Sequence, residues 1–310
     1  MFETLCTTHT LSAGFARVAK NRGGPGVDGV TIAQFERHLG ENLDKLSCEL
    51  EDRTYSPLPL LQILVAKKDG DPRKLSIPTV RDRTVQAALL NILTPLLEEE
   101  FEDCSFGYRR GRSVKQAVYR IKEYYDQGYT WVVDADIDAY FDNVDHTILM
   151  GKLRAYIHDE EIARLVELWI KAEIWDGHAV SVTDRGIPQG SPISPVLANL
   201  FLDELDEALL KEGYRIIRYA DDFIILCKSP ERAEDALEFT NEVLARLDLV
   251  LDEADVIDFE RGFQFLGVTF VRSMIFVPFD KPKRDKKVLF YPPPLNMKAY
   301  LKNKRGRRTG

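Results

Sequence analysis

The chain has 310 residues, 45% of them hydrophobic and 30% charged, and a formal net charge of −8. This composition fits one large or two modest globular domains, and no apolar run approaches the roughly 18 residues that a membrane span needs. The start, MFETLCTTHT, lacks the basic flank and apolar segment of a signal peptide, and the four cysteines form no CxxC pair. We therefore expect a cytoplasmic protein with no membrane association and no zinc or disulfide framework.

The charges are divided unevenly along the chain. Residues 281–310 carry eleven Lys or Arg and one acid, and Ser105–Arg120 carries five basic residues and no acid. Residues 231–260, by contrast, carry eleven acids and two bases. This distribution predicts one nucleic-acid face on a chain of negative average charge, because Lys and Arg drive phosphate binding. Taken alone, the acidic stretch is better explained as a solvated helix face.

The first half of the chain predicts helices around one β-hairpin. Apolar residues recur at helical spacing in three segments, 32–52, 81–101 and 113–128, the last of which begins at Ser113 as N-cap. Between the first two segments, residues 55–78 form two β-rich runs, and the sequence Asp69-Gly70-Asp71-Pro72 predicts the turn that joins them.

The second half alternates strands and helices. WVVDADI predicts a strand, two helical segments follow, and the loop GIPQGSPISP leads into a helix that we expect Ser194 to cap and Pro195 to open. YRIIRYA and FIILCK predict a hairpin, which a helix and a β pair, GFQFLGVTFV with SMIFVPF, follow. This order predicts an α+β fold with helices on one face of a sheet. The basic, Pro-rich tail predicts a linker or a nucleic-acid arm.

Two sets of carboxylates form the candidate chemical site. Asp221 and Asp222 lie between the two runs of the hairpin, where an Asp pair alone is usually only turn chemistry. Period-2 alternation places Asp134, Asp136 and Asp138 on one side of the first strand, and such an acidic row is costly to bury without cations. A strand carboxylate that faces a hairpin pair suits two Mg²⁺ ions, which could activate a 3′-hydroxyl and stabilise a leaving pyrophosphate.

Seven motifs of the chain resemble those of reverse transcriptases. RYADDFIILCK resembles their Tyr-x-Asp-Asp box, DADIDAYFDNVDH their first catalytic-aspartate motif, and GIPQGSPISPVLANLFLDELD the loop and helix between these two. KKDGDPRKLSIPTVRDRTVQAAL and FEDCSFGYRRGRSVKQAV resemble the fingers segments, GGPGVDGVT the N-terminal segment, and GFQFLGVTF the primer-gripping hairpin. The motifs run in the family's order from about Gly23 to Phe270, and the branch resembled is the bacterial group II intron-like one.

The resemblance implies a right-hand polymerase fold of the α+β class, with an antiparallel palm sheet and helices on one face. Residues 1–125 are expected to form the N-terminal segment and fingers, 126–278 the palm, with fingers and palm interleaved, and 279–310 the tail. A thumb is expected to be reduced or missing, because forty residues follow Phe270.

The resemblance also implies metal-binding and nucleotide-binding residues. Asp136, with the carbonyl of Ile137, and Asp221 are expected to hold two Mg²⁺ ions, which Mn²⁺ could replace, and Asp222 is the third, less directly engaged carboxylate. Lys67 and Arg73, with Lys68 as the alternative to Lys67, match the residues that clamp the triphosphate, for which the Arg fork is well suited.

Further positions match residues that contact the nucleotide and the template. Phe141 matches the aromatic gate that selects deoxynucleotides, for which core packing is the alternative. Gln189 and Gly190 match the loop that touches the incoming nucleotide and template. Three arginines interleaved with aromatic residues are expected to follow the template backbone, with a merely solvated basic face as the alternative: Arg109, Arg110 and Arg112.

The sequence departs from the family pattern at two places. Arg73-Lys74-Leu75 stands where family members usually have Arg-Pro-Leu, which keeps the Arg. Ala254 and Asp255 stand where members usually carry a lysine in a Glu-Lys-Thr sequence, and this puts one phosphate contact near the active site in doubt.

Three functions remain open. The first is an RNA-directed DNA polymerase that extends a DNA or RNA primer on an RNA template with dNTPs. A partner protein is expected to help it hold the primer–template duplex. The tail and the region from Leu266-Gly267 to the three prolines at 292–294 are similar to reverse transcriptases of CRISPR adaptation modules, which act with the CRISPR integrase to acquire spacers from RNA. The second is a group II intron-derived enzyme for intron mobility. The third is an inactive scaffold in a defence or integration complex, against which the intact Asp136, Asp221 and Asp222 argue.

Overall fold

The computed structural model of the chain describes residues 1–66, 72–277 and 287–306. Within these ranges the helices are α1 (Phe2–Cys6), α2 (Thr8–Asn21), α3 (Ile32–Arg37), α4 (Leu39–Glu51), α5 (Val80–Glu98), α6 (Val114–Asp126), α7 (Tyr140–Asn143), α8 (His146–Tyr156), α9 (Glu160–Ile170), α10 (Ser194–Lys211), α11 (Pro230–Arg246) and α12 (Met297–Gly306). None of these helices combines the length and apolar character that crossing a lipid bilayer requires.

The strands of the same ranges form three sheets. They are β1 (Leu60–Val65), β2 (Arg73–Ile77), β3 (Trp131–Ile137), β4 (Ile174–Trp175), β5 (Val180–Ser181), β6 (Arg215–Tyr219), β7 (Asp222–Cys227), β8 (Leu251–Asp258), β9 (Phe263–Phe265), β10 (Val268–Val271), β11 (Met274–Phe276) and β12 (Val288–Phe290). The described chain is thus a mixed α+β fold, as its sequence predicts.

The fingers sheet is built on the predicted hairpin of β1 and β2. The two strands are antiparallel, with Leu61 opposite Ile77 and Val65 opposite Arg73. Along its other edge, β1 pairs with β4 in parallel at its start and with β12 in antiparallel fashion at its end. Residues 67–71, which include the Lys67 and Lys68 of the predicted triphosphate clamp, lie outside the described residues.

The described part of the tail packs against the fingers. In addition to the pairing of β12, the Leu295 amide donates a hydrogen bond to the Val27 carbonyl at 2.9 Å. The Trp175 indole donates to the Pro293 carbonyl at 3.0 Å. Residues 287–306 are therefore folded onto the fingers sheet rather than extended as a free arm.

The palm sheet has the strand order β6-β7-β3-β8 and is antiparallel throughout. On one face, Val133 and Ile137 of β3 join the main core, which α10 and α11 cover. On the other face, Val132 meets Ile224 of β7 in a second core that includes residues of α6. This second face is apolar at one end of the sheet only. At the other end, where β3 finishes and β7 begins, both strands carry carboxylates. We call this the open end of the palm sheet.

Two local predictions were wrong. Ser194 does not cap α10, because its hydroxyl donates to the Pro188 carbonyl at 2.7 Å within the loop, and Ile193 holds the N-cap position without a side-chain bond. The pairing of GFQFLGVTFV as a single strand with SMIFVPF was also wrong, whereas the hairpin that the family resemblance implies for GFQFLGVTF is present as β9 and β10. The two loop residues of this hairpin, Leu266 and Gly267, have φ values of +52° and +75°, as a two-residue turn with both central residues left-handed requires.

Candidate active site

The catalytic carboxylates of the sequence hypothesis lie at the open end of the palm sheet. Ala135 of β3 pairs with Phe223 of β7, so the next step of the same register places Asp136 beside Asp222. Ala220 and Asp221 form the two-residue loop between β6 and β7, and Asp222 is the first residue of β7. The hairpin and the first strand therefore bring the three predicted residues together.

These carboxylates act on one another electrostatically. Burial and then the charge of Asp221 raise the pKa of Asp136 above its ordinary value. Burial, followed by Asp221, Asp136 and Asp134, raises the pKa of Asp222 to about 6. Burial and the charge of Asp255, which pairs with Asp134 across β3 and β8, raise the pKa of Asp134 to about 6. Elevated pKa values of this origin mark concentrated negative charge that a divalent cation would neutralise.

The chemistry of the donor set fits Mg²⁺, which prefers oxygen ligands. The Ile137 amide donates to Asp136 Oδ1 at 3.0 Å and so fixes one oxygen of this carboxylate. Within the described residues, however, no group of three or more His, Cys, Asp or Glu side chains is arranged as a metal-binding cluster. The two-ion site with Asp136, the Ile137 carbonyl, Asp221 and Asp222 thus stays a prediction.

Asp138 does not extend the acidic row of β3. The strand ends at Ile137, and Asp138 begins a turn in which its amide donates to the Val250 carbonyl at 3.0 Å. The next residue, Ala139, has a left-handed φ of +39°. Because side chains alternate only as far as the strand continues, the alternation argument fails at Asp138. A further acidic residue beside this row is Asp255 of β8, which lies opposite Asp134. Sequence reasoning noted Asp255 only as a departure from the family pattern.

A buried ion pair supports the turn that carries Asp221. Ala220 has a φ of +65°, which is strained for a residue with a side chain. The fully buried Arg218 donates from Nη1 to the Ala220 carbonyl at 3.0 Å and to Asn199 Oδ1 at 2.9 Å. Its Nε and Nη2 donate to the two oxygens of Asp206 at 2.8 and 2.5 Å. Although burial alone would lower the pKa of Arg218, the Asp206 carboxylate raises it above its usual value.

A loop of the fingers packs against the same turn. The Phe106 amide donates to the Arg218 carbonyl at 2.8 Å. A Cβ at Gly107 would collide with the backbone nitrogen of Ala220, so only glycine fits there without movement. Asn199 Nδ2 donates to the Gly107 carbonyl at 2.9 Å and so ties the loop to the residue that also contacts Arg218.

The predicted nucleotide-contacting loop meets the fingers strand that carries Arg73. The Ser76 amide of β2 donates to the Gln189 carbonyl at 2.6 Å. Gly190 has a φ of +114°, and a Cβ there would lie 3.1 Å from the Ser76 carbonyl oxygen. Arg73 is exposed, and its charge partly offsets the rise that burial and the neighbouring carboxylates cause in the pKa of Asp222. Gln189 lines a cavity together with Lys74 and Ser76 of β2, and Arg73 is not among the described residues that line it.

Phe141 lies where the palm strand turns towards this loop. Its carbonyl accepts a hydrogen bond from the Ile187 amide at 2.7 Å, and its half-buried ring meets Tyr140 edge-on at 5.4 Å between centroids. Tyr140 is fully buried and donates its hydroxyl hydrogen to the Ala198 carbonyl at 2.6 Å. The neighbour Tyr140 is a core residue, whereas part of the Phe141 ring is accessible.

Of the three arginines predicted to follow the template, Arg109 is a structural residue. It is only 8% exposed, and its guanidinium donates to Glu98 Oε1 at 2.8 Å and to the Ser105 carbonyl at 3.0 Å. The template prediction was wrong for Arg109, because protein acceptors already occupy these donors. Arg110 is exposed and Arg112 is half-buried in an ion pair. Contact of these two with a template stays a prediction.

Comparison with known proteins identifies the family. Residues 65–270, about two thirds of the chain, match the model of the family described as reverse transcriptase (RNA-dependent DNA polymerase). The chain belongs to the reverse transcriptase family. This reverse transcriptase is 32% identical to Protein YkfC of Escherichia coli (strain K12) over 290 residues, which cover 80% of this chain and 76% of YkfC.

Its similarity to group II intron proteins is of the same order. The reverse transcriptase is 36% identical to the group II intron-encoded protein LtrA of Lactococcus lactis subsp. cremoris over 205 residues, which are 66% of this chain and 33% of LtrA. The chain therefore spans about a third of LtrA's length. A chain of the partial Cas6-RT-Cas1–Cas2 complex is 31% identical, with 78% of this chain and 42% of that chain covered and a TM-score of 0.48.

Sequence reasoning missed the residues that support the turn carrying Asp221. Arg218 and Asp206 both lie inside motifs that the resemblance rests on, yet neither was assigned a role. A signal was present, since an Arg directly before Tyr219 lies in an otherwise apolar strand and such a charge needs a buried partner. The identity of that partner depends on how α10 packs against β6.

The reverse transcriptase also buries an unpaired carboxyl group on α10. Asp203 is 3% exposed, and its two oxygens have no hydrogen-bond partner among the described residues. Burial, followed by the charges of Asp206 and Glu207, raises its pKa to about 7. The folded chain therefore favours the protonated form of Asp203, which carries no charge.

This burial predicts a pH-dependent stability. Because the pKa of Asp203 is higher in the folded chain than in the unfolded one, its contribution to stability is present near pH 4 and is lost as the pH rises through about 7. We expect Asp203→Asn to raise the free energy of unfolding relative to wild type by about 1–3 kcal/mol at pH 8 and by less at pH 5.5. Urea denaturation of both proteins at the two pH values measures this difference, and an equal effect at both would contradict it.

Proposed function

We propose that the protein is an RNA-directed DNA polymerase that adds dNTPs to the 3′-hydroxyl of a DNA or RNA primer paired with an RNA template. Asp136, Asp221 and Asp222 are proposed to hold two Mg²⁺ ions. The observation that carries the proposal is the meeting of these three carboxylates at the open end of the palm sheet, with the charge of Arg73 from the fingers acting on Asp222.

Each group at the cleft has a part in this reaction. When bound, the two ions would activate the 3′-hydroxyl and neutralise charge on the leaving pyrophosphate. Asp136 and Asp221 would hold these ions, and the Ile137 amide keeps one oxygen of Asp136 in place. Arg73 contacts phosphate oxygens, for which its planar fork is suited. Gly190, which has no side chain, lets the backbone of its loop approach the new base pair.

Primer extension by the purified chain tests the proposal. A labelled primer is annealed to RNA and, separately, to DNA of the same sequence, and is supplied with dNTPs and Mg²⁺ or Mn²⁺. We expect extension on the RNA template that EDTA abolishes. Extension on DNA but never on RNA would assign the site to a DNA-templated polymerase, and a protein that extends neither primer would contradict the proposed activity.

The Phe141 ring is proposed to exclude the 2′-hydroxyl of ribonucleotides. We expect Phe141→Val to lower the preference for dNTPs over rNTPs about 100-fold, because the smaller side chain leaves room for that hydroxyl. The ratio of kcat/KM for dCTP and CTP measures it. Phe239→Val is the control. Phe239 lies on α11 and is also half-buried, but its ring packs against Tyr214. If both variants keep the wild-type ratio, Phe141 is only a packing residue.

We further propose that the enzyme acts with a CRISPR integrase to acquire spacers from RNA. Its support is the similarity of the tail and of the region 266–294 to reverse transcriptases of CRISPR adaptation modules. In cells that also express a CRISPR integrase and its array, we expect new spacers that span a splice junction made by a self-splicing intron, because only RNA carries that junction.

The same experiment separates the alternatives. Asp221→Asn is expected to remove the junction-spanning spacers and to leave spacers acquired from DNA. If the variant and the wild type acquire the same spacers, the chain serves as an inactive scaffold. If no integrase binds and the chain instead supports mobility of an intron, the group II intron role holds.

A further inference from the structure

Tyr108 is displayed beside the catalytic turn in a strained conformation. Its φ is +60°, a left-handed value that is rare and strained for an aromatic residue. The residues on both sides prevent relaxation, because the Gly107 carbonyl is bonded to Asn199 and the Arg109 side chain is buried. Despite this rigid support, the Tyr108 side chain is 56% exposed. The loop therefore holds an exposed aromatic ring in one place.

That place is between the carboxylates and the fingers arginine. Burial and then the charge of Asp221 raise the pKa of Tyr108, Arg73 lowers it, and Asp222 adds a smaller upward effect. The phenol is therefore near both the negative and the positive side of the cleft. Among the described residues, its hydroxyl group has no hydrogen-bond partner. Gly107, the residue before Tyr108, packs on the backbone of Ala220, so the loop holds Tyr108 beside the turn of Asp221.

An ordinary surface tyrosine of the same fold makes the contrast clear. Tyr119 on α6 is 57% exposed, has regular helical geometry, and lies under the Lys115 ammonium group at 5.6 Å from its ring. Unlike Tyr108, Tyr119 therefore combines its exposure with an unstrained backbone. Exposure alone therefore does not explain why Tyr108 is held as it is.

We propose that Tyr108 is a nucleotide-binding residue whose hydroxyl group donates a hydrogen bond to a phosphate oxygen of the incoming dNTP. A triphosphate held between Asp221 and Arg73 would lie near Tyr108, whose loop packs on the Ala220 turn, and an anionic oxygen is the strong acceptor that this donor lacks. The inference rests on the proposed polymerase function, which supplies the nucleotide. It adds a donor from the loop 105–109 to a phosphate site otherwise formed by Arg73.

Single-nucleotide incorporation by Tyr108→Phe tests this bond, because the variant keeps the ring and loses only the hydroxyl group. We expect the KM for dNTP to rise about ten-fold with kcat little changed, as loss of a bond made equally in the ground and transition states requires. Tyr119→Phe is the matched control and is expected to keep both constants. Tyr108→Leu removes the ring as well. If Tyr108→Phe equals wild type and only Tyr108→Leu is impaired, the ring packs on a base and the proposed hydrogen bond is wrong.

A binding measurement separates this inference from the polymerase proposal. With a dideoxy-terminated primer on an RNA template, the complementary dNTP binds without reaction, and its affinity is read from the stability of the complex. Tyr108→Phe is expected to weaken dNTP binding about ten-fold relative to wild type and to Tyr119→Phe. Equal affinities would overturn the role of Tyr108. If the wild-type chain binds dNTP normally but never extends an unblocked primer, the polymerase proposal is contradicted. The proposed role of Tyr108 in binding is not.

Discussion

Replacement of Asp221 by asparagine is expected to lower the rate of primer extension about 1,000-fold or more while the chain stays folded. Asparagine keeps the size of the side chain but removes the charge that a divalent ion needs, and loss of electrostatic stabilisation at a reacting centre commonly has an effect of this order. Asp221 lies in a loop, and its charge raises the pKa of both Asp136 and Asp222. Steady-state extension of a labelled primer on RNA measures the effect.

Asp138→Asn is the control for this experiment. Asp138 lies two residues from Asp136 but beyond the end of β3, and its side chain is exposed. We expect this variant to retain wild-type extension within about two-fold. If Asp138→Asn were as inactive as Asp221→Asn, the alternation of side chains predicted from the sequence would hold at Asp138 after all. If both variants were active, the assignment of the metal site would be wrong.

Arg218→Met is expected to lower the free energy of unfolding by about 3–5 kcal/mol, because it leaves the Asp206 carboxylate buried without its partner. Both side chains of this pair are completely buried. The variant also removes the hydrogen bond to the Ala220 carbonyl, so extension activity is expected to fall even under conditions in which the chain is folded. Urea denaturation and primer extension on the same preparation measure the two effects.

Arg246→Met provides the matched surface control. Arg246 pairs with Glu242 at 4.0 Å on α11, where both side chains are 60% exposed. Exposed pairs of this kind contribute less than about 1 kcal/mol. The double variant Arg218→Met with Asp206→Leu is expected to recover part of the lost stability without recovering activity, because it removes the unpaired charge but not the need for a bond to Ala220. A loss in Arg218→Met no larger than that in Arg246→Met would show that the buried pair does not support the fold.

The sequence predicted the local elements that position the site because their signals are local. The alternation in β3 and the two apolar runs around Asp221 and Asp222 each specify a strand, and the short connection between the runs specifies a hairpin. The turn lies one residue earlier than predicted, because Ala220 and Asp221 form the loop and Asp222 is the first residue of β7. The resemblance to the family added Asp136 as the facing residue, and the structure places it beside Asp222.

The remaining features depend on contacts between distant parts of the chain. The loss of Arg109 from the template-binding set follows from its burial against Glu98, which no pattern within its own motif reveals. The place of Asp255 opposite Asp134 depends on the pairing of β3 with β8, which are separated by about 120 residues of chain. The pairing of β12 with β1 is more distant still, so the composition of the tail alone suggested an arm.

The most direct test of the account is the addition of one complementary deoxynucleotide to a primer on an RNA template by the purified wild-type chain, with Asp136→Asn as the comparison. We predict that the wild type adds the nucleotide in Mg²⁺, that EDTA stops the reaction, and that Asp136→Asn adds it at least about 100-fold more slowly. Gel shift of the same primer and template shows whether each protein binds its substrate. A folded wild-type chain that binds the primer and template, yet adds no nucleotide in Mg²⁺ or Mn²⁺, would contradict the account.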